Sequence, residues 1–451
     1  MPDPNRFDPG SVGAFRVGKR HFDPGTRTVS LRYAFDDGPD FVETITFESV
    51  PPSGVAPAGA GFEHALLHLH IAAGTSYYKA AAPDSVVVDG VGLTEAEADF
   101  HHRLYDEGLR EFAVSNGLPV PRPVSIRSAV RPGGAPPPPS PARTEGLVVP
   151  IGGGKDSMVL IEAVRHLAPR LFAVNPHPLV VELAEQTGLE LIVVRRTLSP
   201  NLEALNRAGA LNGHVPITAI FSLVAVVGSF LYGYDAIAMA IERSASEETV
   251  MVGGVPVNHQ YSKSAECERL LAGVIAASID PGLTYGSALR PFSELAIARA
   301  FARLTPYHST FCSCNTVFRQ GAGTGTWCGK CPKCRFVALM LAPFLEPDVV
   351  RSIIGRDLFS DPEEVAGFAA LMSEADKPFE CVGERRESAA VFRILSTRPE
   401  WAGRTVVAEL AEQARALVTE AEVAELFTPA EGAFPDPRVA LDVHTLLTEP
   451  G

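Results

Sequence analysis

The run Val148-Val149-Pro150-Ile151-Gly152-Gly153-Gly154-Lys155-Asp156-Ser157-Met158-Val159-Leu160 decides the fold of this chain. Its first residues are apolar and read as a short buried strand. Three glycines follow, and Asp156 and Ser157 then open a segment whose apolar residues recur at helical spacing as far as Leu167. A strand, a glycine loop and a helix N-terminus together form an anion cradle. Glycine lets the backbone approach closely, several N–H groups converge, and the helix dipole adds positive potential. Lys155 adds a mobile point charge suited to phosphate oxygens. The chemistry implied is the handling of a nucleotide's phosphates.

Spacing excludes two common phosphate loops. A Walker A loop needs a glycine where Val149 stands, and Ser or Thr where Asp156 stands. A dinucleotide fingerprint begun at Gly152 and Gly154 puts Ser157 at its third glycine. What remains resembles the Ser-Gly-Gly-x-Asp-Ser loop of the PP-loop ATP pyrophosphatases, with Gly152 in place of the first serine. That resemblance implies cleavage of ATP between its α and β phosphates and adenylation of a carboxylate or carbonyl oxygen. A plain glycine turn between strand and helix is the competing reading.

Working outward, the pattern alternates. Strands are expected at Leu147–Ile151, Leu171–Val174, Leu191–Val194 and Ala236–Ile241, with helices at Asp156–Leu167, Leu179–Thr187 and Pro216–Leu231. This predicts an α/β fold: a parallel, doubly wound PP-loop domain of the adenine nucleotide α hydrolase type over residues 144–345, with ligands at the carboxyl ends of its strands. Residues 131–143 contain Gly133-Gly134 and four consecutive prolines, and read as a stiff linker. Residues 1–130 read as a small α+β domain that contributes to substrate binding. Its strands are expected at Thr28–Phe35 and Phe41–Phe47, and its helices at Glu63–Ala72 and Glu95–Asn116. Residues 346–451 read as a helical tail, with helices at Val365–Glu374, Ala389–Ser396 and Thr405–Glu422.

Composition narrows the class. With 46% apolar and 20% charged residues, the chain of 451 residues can build real cores in two or three domains. A formal net charge of −14 argues against nucleic acid or an anionic membrane as partner, and leaves room for a local basic pocket. Ile217–Tyr234 carries no charge and is long enough to span a bilayer, yet Gly228, Ser229 and Gly233 interrupt it and a strand pattern follows. A helix buried inside an α/β domain accounts for it. Met1–Arg6 lacks the apolar core of a signal peptide. The expectation is a soluble, cytoplasmic protein acting on a small molecule.

Five of the seven cysteines, Cys312, Cys314, Cys328, Cys331 and Cys334, fall in one window. The two-residue spacings of Cys328, Cys331 and Cys334 let a turn present successive thiolates to one metal. Cys314 can supply a fourth ligand from across a loop containing Gly321, Gly323 and Gly325. Structural Zn²⁺ is the expected occupant; an iron–sulfur cluster and free thiols are the alternatives. Cys312 is surplus to four ligands. Cys267 and Cys381 read as ordinary buried residues.

Two families share a PP-loop followed by such cysteines. Ser313-Cys314-Asn315 and Cys328 to Cys334 resemble elements of the cyano-deazaguanine synthases, which lack a counterpart for the region before the linker. A closer resemblance is to the UDP-N-acetylmuramoyl-L-alanyl-L-glutamate epimerases (MurL). It rests on Gly74-Thr75-Ser76-Tyr77-Tyr78-Lys79-Ala80, the Gly152–Ser157 loop, Asn212-Gly213-His214-Val215-Pro216 and Glu242-Arg243-Ser244-Ala245. It extends through Asn258-His259-Gln260-Tyr261-Ser262-Lys263-Ser264 and Phe311-Cys312-Ser313-Cys314-Asn315 with the later cysteines, about residues 60 to 345.

The resemblance implies an ATP-dependent isomerase that turns the terminal L-Glu of UDP-MurNAc-L-Ala-L-Glu into D-Glu through a carboxyl-adenylate, releasing AMP and pyrophosphate. In that scheme Gly152, Gly153, Gly154, Asp156 and Ser157 hold ATP's phosphates, and Asn175 lines the nucleotide pocket. Lys155 and Lys263 stabilise charge, and Mg²⁺ bridges phosphate oxygens with Asp156 as a ligand. Tyr78, Lys79, Glu242, Arg243, Ser244, Gln260, Tyr261 and Arg290 contact substrate. The proton-transferring bases are drawn from Cys312, His308, His259 and Lys263, with Cys312 first. An amide- or nitrile-forming PP-loop enzyme, a tRNA-modifying one, and a nucleotide-binding module without turnover are the alternative functions.

Overall fold

The computed structural model describes residues 7–449, apart from 37, 53–56, 134–136, 138–145, 319–325, 374–376 and 381. Met1–Arg6, most of the expected linker, the glycines between Cys314 and Cys328, and Cys381 therefore lie outside the described residues. The strands in chain order are β1 (Phe15–Asp23), β2 (Thr28–Phe35), β3 (Asp40–Phe47), β4 (Ser85–Leu93), β5 (Ser125–Val130) and β6 (Leu147–Pro150). They continue with β7 (Arg170–Val174), β8 (Leu191–Thr197), β9 (Ala236–Met239), β10 (Val250–Val252), β11 (Val255–Val257) and β12 (Thr284–Ser287). Two compact units result, and neither is a single run of sequence. The first comprises Met1–Gly146, Ile192–Ile237 and Met251–Tyr285; the second Leu147–Leu191, Ala238–Val250 and Gly286–Gly451.

In the first unit six strands lie in the order β8-β3-β2-β1-β4-β5. β1/β2, β2/β3 and β3/β8 run antiparallel, whereas β1/β4 and β4/β5 run parallel. Burial alternates along β2 and β3, placing Val29, Leu31, Tyr33 and Phe35, then Phe41, Ile45 and Phe47, on the inner face. Glu43 falls in that inward register. Its carboxylate accepts two bonds from the Arg196 guanidinium, at 2.7 and 3.1 Å, and Ser76 Oγ accepts a third from Arg196 at 2.8 Å. A buried charge needs such a fork.

Helices Ala60–Ala73 and Ile217–Tyr232 pack on each other and are buried almost all round, which explains why neither shows a polar stripe. Each fully buried Leu, Val or Ile contributes roughly 1.5–3 kcal/mol. Gly233, at φ 77°, ends the second helix after 16 residues. Among the described residues no helix is long and apolar enough to cross a membrane.

The second unit opens with β6 and β7, a parallel pair in which Val148, Val149 and Pro150 face Arg170, Leu171 and Phe172. Helix Lys155–Ala163 leaves the glycine loop and packs on helix Glu294–Ala302. It is shorter than its apolar pattern suggested: the backbone tightens after Val164 into a single 3-10 turn at Arg165–Leu167. Helix Pro178–Thr187 starts on a proline, with His177 Nδ1 accepting from the Leu179 N–H at 3.3 Å. The C-terminal part is helical. The expected Thr405–Glu422 helix divides into Thr405–Leu417 and Glu420–Glu425, because Thr419 and Glu422 form a capping box that starts the second piece. Helix Arg385–Leu395 packs against Pro332–Leu341 and Thr405–Leu417, over buried Phe336, Phe368, Phe392 and Trp401. The α/β class stands, with a helical C-terminal part.

Candidate active site

The glycine loop follows β6 directly. Gly153 takes φ +88°, a conformation that excludes most side chains, and a Cβ there would lie 3.1 Å from both Cys312 O and Val180 Cγ2. The Cys312 N–H donates to Gly153 O at 2.8 Å, so the segment carrying Cys312 and Ser313 lies over the loop. Among the described residues the N–H groups of Gly152, Gly153 and Gly154 meet no protein acceptor. Ser157 Oγ donates to Gly154 O at 3.0 Å and closes the first turn of the helix. Three consecutive donors at a helix N-terminus can hold an anion. Asn175, just beyond β7, adopts the left-handed conformation at φ 47°, which asparagine tolerates better than most residues.

Beside the loop lies a carboxylate set. Lys155 is buried and bonds to both Asp156 and Glu294 rather than reaching outward. Oxygens of Asp156, Glu242 and Glu294 lie within 4.8 Å of one another. Burial pushes the Glu294 carboxyl up to about 7, with Lys155 pulling it down and Asp156 and Glu242 pushing it further up. Glu387, on helix Arg385–Leu395, accepts from the Glu294 N–H at 2.8 Å, so the C-terminal helices help build this floor. Ser244 Oγ donates to Glu242 at 3.3 Å, and Arg290 Nη1 donates to Glu242 O at 2.8 Å. An all-oxygen set of this kind suits Mg²⁺.

The thiols of Cys314, Cys328, Cys331 and Cys334 gather around one point. Four of their Sγ–Sγ separations are 3.8 Å (Cys314–Cys331), 3.7 Å (Cys328–Cys334), 3.5 Å (Cys331–Cys334) and 3.7 Å (Cys314–Cys334). A tetrahedral ion with metal–sulfur arms of ~2.3 Å sets its sulfurs about 3.8 Å apart. A four-iron cluster interposes its own atoms and needs wider spacing, so the geometry fits a single ion. Cys312 stands apart. It is buried, its thiol donates to Thr326 O, and burial pushes it up to about 12.

The first unit holds a second polar cluster. Lys79 bonds to Asn212 Oδ1 and, at 3.0 Å, to Gly213 O; burial lowers its amine to about 8. Glu111, His214 and His259 converge with ligand atoms within 4.8 Å of one another. Lys263 Nζ donates to Gln260 Oε1 at 3.2 Å. Tyr78 and Tyr261 are buried, the former edge-on to Tyr105 at 4.9 Å. The rest of Gly74–Ala80 is closely packed as well. A Cβ on Gly74 would come 2.7 Å from Tyr105 Oη, and Tyr77 stacks on Tyr33 at 4.8 Å. His308 is half-buried, bonded to Phe301 O at 3.2 Å and lowered by burial.

Sequence reasoning did not find Glu111, Glu294 or Glu387. Each is an acidic residue on a helix with no local motif to mark it. His214 was visible within Asn212–Pro216, though without a role.

A glycine loop at a helix N-terminus, a carboxylate set beside it and a four-thiol cluster mark the second unit of this α/β protein. The chain belongs to the MurL family: the MurL N-terminal domain matches residues 6–288 and the MurL C-terminal domain residues 310–425. It is 39% identical over 409 residues, 89% of this chain and 90% of the relative, to a UDP-N-acetyl-alpha-D-muramoyl-L-alanyl-L-glutamate epimerase of Xanthomonas oryzae pv. oryzae. A protein of the same name from Salinispora tropica is 39% identical, over 97% of each chain. Another, from a Micromonospora species, is 38% identical over 93% of this chain and 95% of its own. No solved structure matches the chain.

Proposed function

We propose that this chain is an epimerase of peptidoglycan precursor synthesis, inverting the terminal L-Glu of UDP-MurNAc-L-Ala-L-Glu while converting ATP to AMP and pyrophosphate. The observation that carries the reading is identity of 39% over 97% of the chain to a relative that bears this epimerase name. The strand–glycine loop–helix of the second unit is read as a PP-loop, and the protein as cytoplasmic, where both nucleotides are available.

Physical chemistry explains the need for ATP. An α-hydrogen beside a carboxylate is hardly acidic, because its carbanion would sit next to an existing negative charge. Adenylation removes that charge and leaves an activated carbonyl, and an ordinary side-chain base can then take the proton. In this reading the N–H groups of Gly152, Gly153 and Gly154 bind phosphate oxygens. Lys155, anchored on Glu294, keeps a positive charge beside them. Asp156, Glu242 and Glu294 would hold Mg²⁺, which neutralises phosphate charge when bound. Arg243 and Arg290 offer forks to a substrate carboxylate or diphosphate. The four thiols would hold Zn²⁺ in a structural role, keeping the Cys312–Ser313 segment over the loop.

The test is turnover of UDP-MurNAc-L-Ala-L-Glu with MgATP, followed by chiral analysis of the released glutamate and of the nucleotide products. D-Glu with AMP and pyrophosphate is the expected result. ADP and phosphate, or an amide or nitrile product in the presence of ammonia, overturns the reading.

A further inference from the structure

We infer that Glu111, His214 and His259 form a binding site for a divalent transition-metal ion such as Zn²⁺, with ligands distinct from the carboxylate set and from the four thiols. The inference concerns the first unit alone and does not depend on the epimerase reading.

Three segments far apart in the chain build the site. Glu111 lies on helix Arg110–Ser115, His214 just before helix Ile217–Tyr232, and His259 just before the turn Tyr261–Lys263. All three belong to the first unit, and their ligand atoms lie within 4.8 Å of one another. Each segment is held by bonds outside the cluster. Asn116 Nδ2 donates to Phe112 O at 2.8 Å and to Asn212 O at 3.0 Å, which ties the Glu111 helix to the His214 stretch. The Leu211 N–H donates to Ala80 O at 3.0 Å. Arg110 Nη1 donates to Pro256 O at 3.1 Å, which ties the same helix to the strand that leads to His259. Ligands fixed in advance are what a metal site requires, because an ion cannot repay the ordering of loose side chains in full.

The orientation of the rings is the second observation. Both imidazoles turn Nδ1 toward one oxygen, Glu111 Oε2: His259 Nδ1 bonds to it, and His214 Nδ1 lies 3.6 Å from it. A separation of 3.6 Å is not a hydrogen bond. Among the described residues the His214 ring makes no hydrogen bond at all, although only 23% of its side chain is exposed. A carboxylate that merely orients a histidine needs one ring. A second ring aimed at the same oxygen without bonding it, its centroid 4.6 Å from the first, is accounted for by an ion shared among the three. A tetrahedral Zn²⁺ with arms of ~2.0–2.1 Å sets its ligand atoms roughly 3.3 Å apart, so shifts of about an ångström admit it.

Two imidazole nitrogens with one carboxylate suit Zn²⁺ or Co²⁺ rather than Mg²⁺, which prefers an all-oxygen set. Three protein ligands leave a coordination position for water or another small ligand. The positive charges of Lys79 and Lys263 act on His214 and count against a cation. Lys79 is held by Asn212 Oδ1 and Gly213 O, and Lys263 Nζ donates to Gln260 Oε1 at 3.2 Å. Their effect is to make this ion exchangeable, where the ion of the four thiols is tightly held. Another histidine pair of the first unit shows the contrast. His68 Nδ1 bonds to His101 Nε2 at 2.9 Å, and His68 Nε2 lies 3.3 Å from Glu97. That is a fully buried chain of groups, each joined to the next, and not a convergence of ligands on one point.

The test uses the full chain without an affinity tag, stripped with a chelator and titrated with Zn²⁺ alone. Wild type should take up one equivalent more than His214→Gln or His259→Gln, and that equivalent should raise its melting temperature. In the variants its affinity should fall by about 100-fold or more. Because uptake is read as a difference, the result does not depend on what the thiols hold. Excess Mg²⁺ should leave the extra equivalent in place. With Co²⁺ as the probe, the difference spectrum of wild type minus His214→Gln should show ligand-field bands in the visible without thiolate charge-transfer bands. Where a histidine variant fails to fold, the near-isosteric Glu111→Gln takes its place in each comparison. Equal uptake and equal melting shifts in wild type and the folded variants overturn the proposal. So does an extra equivalent that Mg²⁺ displaces, or one whose Co²⁺ difference spectrum is that of a thiolate site.

Discussion

The ammonium of Lys155, which begins the helix after the glycine loop, lies against the carboxylate of Glu294, 139 positions further along the chain. Glu294 in turn has Glu387 bonded to its backbone N–H, and Asp156 and Glu242 at its side. Lys155 is thus the cation that makes a crowded set of buried carboxylates tolerable. Removing it strands negative charge, whereas neutralising Glu294 leaves Lys155 still paired with Asp156. In the absence of divalent ions, Lys155→Met should destabilise the fold by about 3–5 kcal/mol, and Glu294→Gln by clearly less. Urea denaturation of the two variants checks the order, and equal losses would sink the argument.

Gly153 is the loop position where a side chain is least welcome. Its positive φ and the 3.1 Å approach to Cys312 O and Val180 Cγ2 act together. Gly153→Ala should cost about 1–3 kcal/mol of local strain and lower pyrophosphate release. Gly152→Ala has open space around its Cβ and should be milder in stability. Thermal melts of both variants, compared with their ATP turnover, separate strain from loss of phosphate binding.

Four thiols with separations of 3.5–3.8 Å predict one tightly held ion, Zn²⁺, per chain. Cys331→Ser should purify without it and melt on the order of 10 °C lower. Because the Cys312 N–H ties to Gly153 O, loss of the ion should also weaken ATP binding. Metal analysis by mass spectrometry together with nucleotide titration tests both halves, and full stability in metal-free protein refutes the role.

Legibility in the sequence followed physical scale. Short apolar strands beside glycine, such as Leu147–Pro150, and the all-apolar helix Ile217–Tyr232 announce themselves because their neighbours in sequence are also their neighbours in space. β1 does not. Its Lys19 and Arg20 interrupt the alternation, and its pairing with β2 shifts between Val17 and Arg20. β5 does not either, for an edge strand with little buried carries no hydrophobic signal. Leu191–Val194 was legible as a strand, but not its antiparallel pairing with β3. The site divides in the same way. The glycine loop and the cysteine spacings are local patterns, whereas His259 meets Glu111 across 148 positions and Glu387 meets Glu294 across 93. Convergence over such distances exists only after folding.

His214 gives a pH dependence of defined sign. Its folded-state value of about 4 lies below the ordinary 6.5, so the unfolded chain binds this proton more tightly. Its contribution to stability is present in full above about 6.5 and is lost as pH falls toward 4, by on the order of 3 kcal/mol. His214→Gln removes the titrating group, and the variant should lose less stability than the wild type between pH 7 and pH 4. Parallel stability curves for the two proteins would contradict the assignment.

Cys312 adjoins the glycine loop, and from sequence it was the first choice for a proton-transferring base. A base needs a thiolate near neutral pH, and burial works against one by pushing this thiol up to about 12. Its Sγ also donates to Thr326 O, a bond that uses the proton a base would have to shed. The residue's backbone, by contrast, is engaged with the loop through Gly153 O. Cys312→Ala keeps that backbone bond and deletes the thiol. It should therefore retain epimerisation well above the roughly 100-fold loss expected for removal of a true base. It should also incorporate deuterium from D₂O at the glutamate α-carbon in both epimers, as the wild type does. Loss of exchange at one epimer in this variant, with pyrophosphate release intact, would return the thiol to the mechanism.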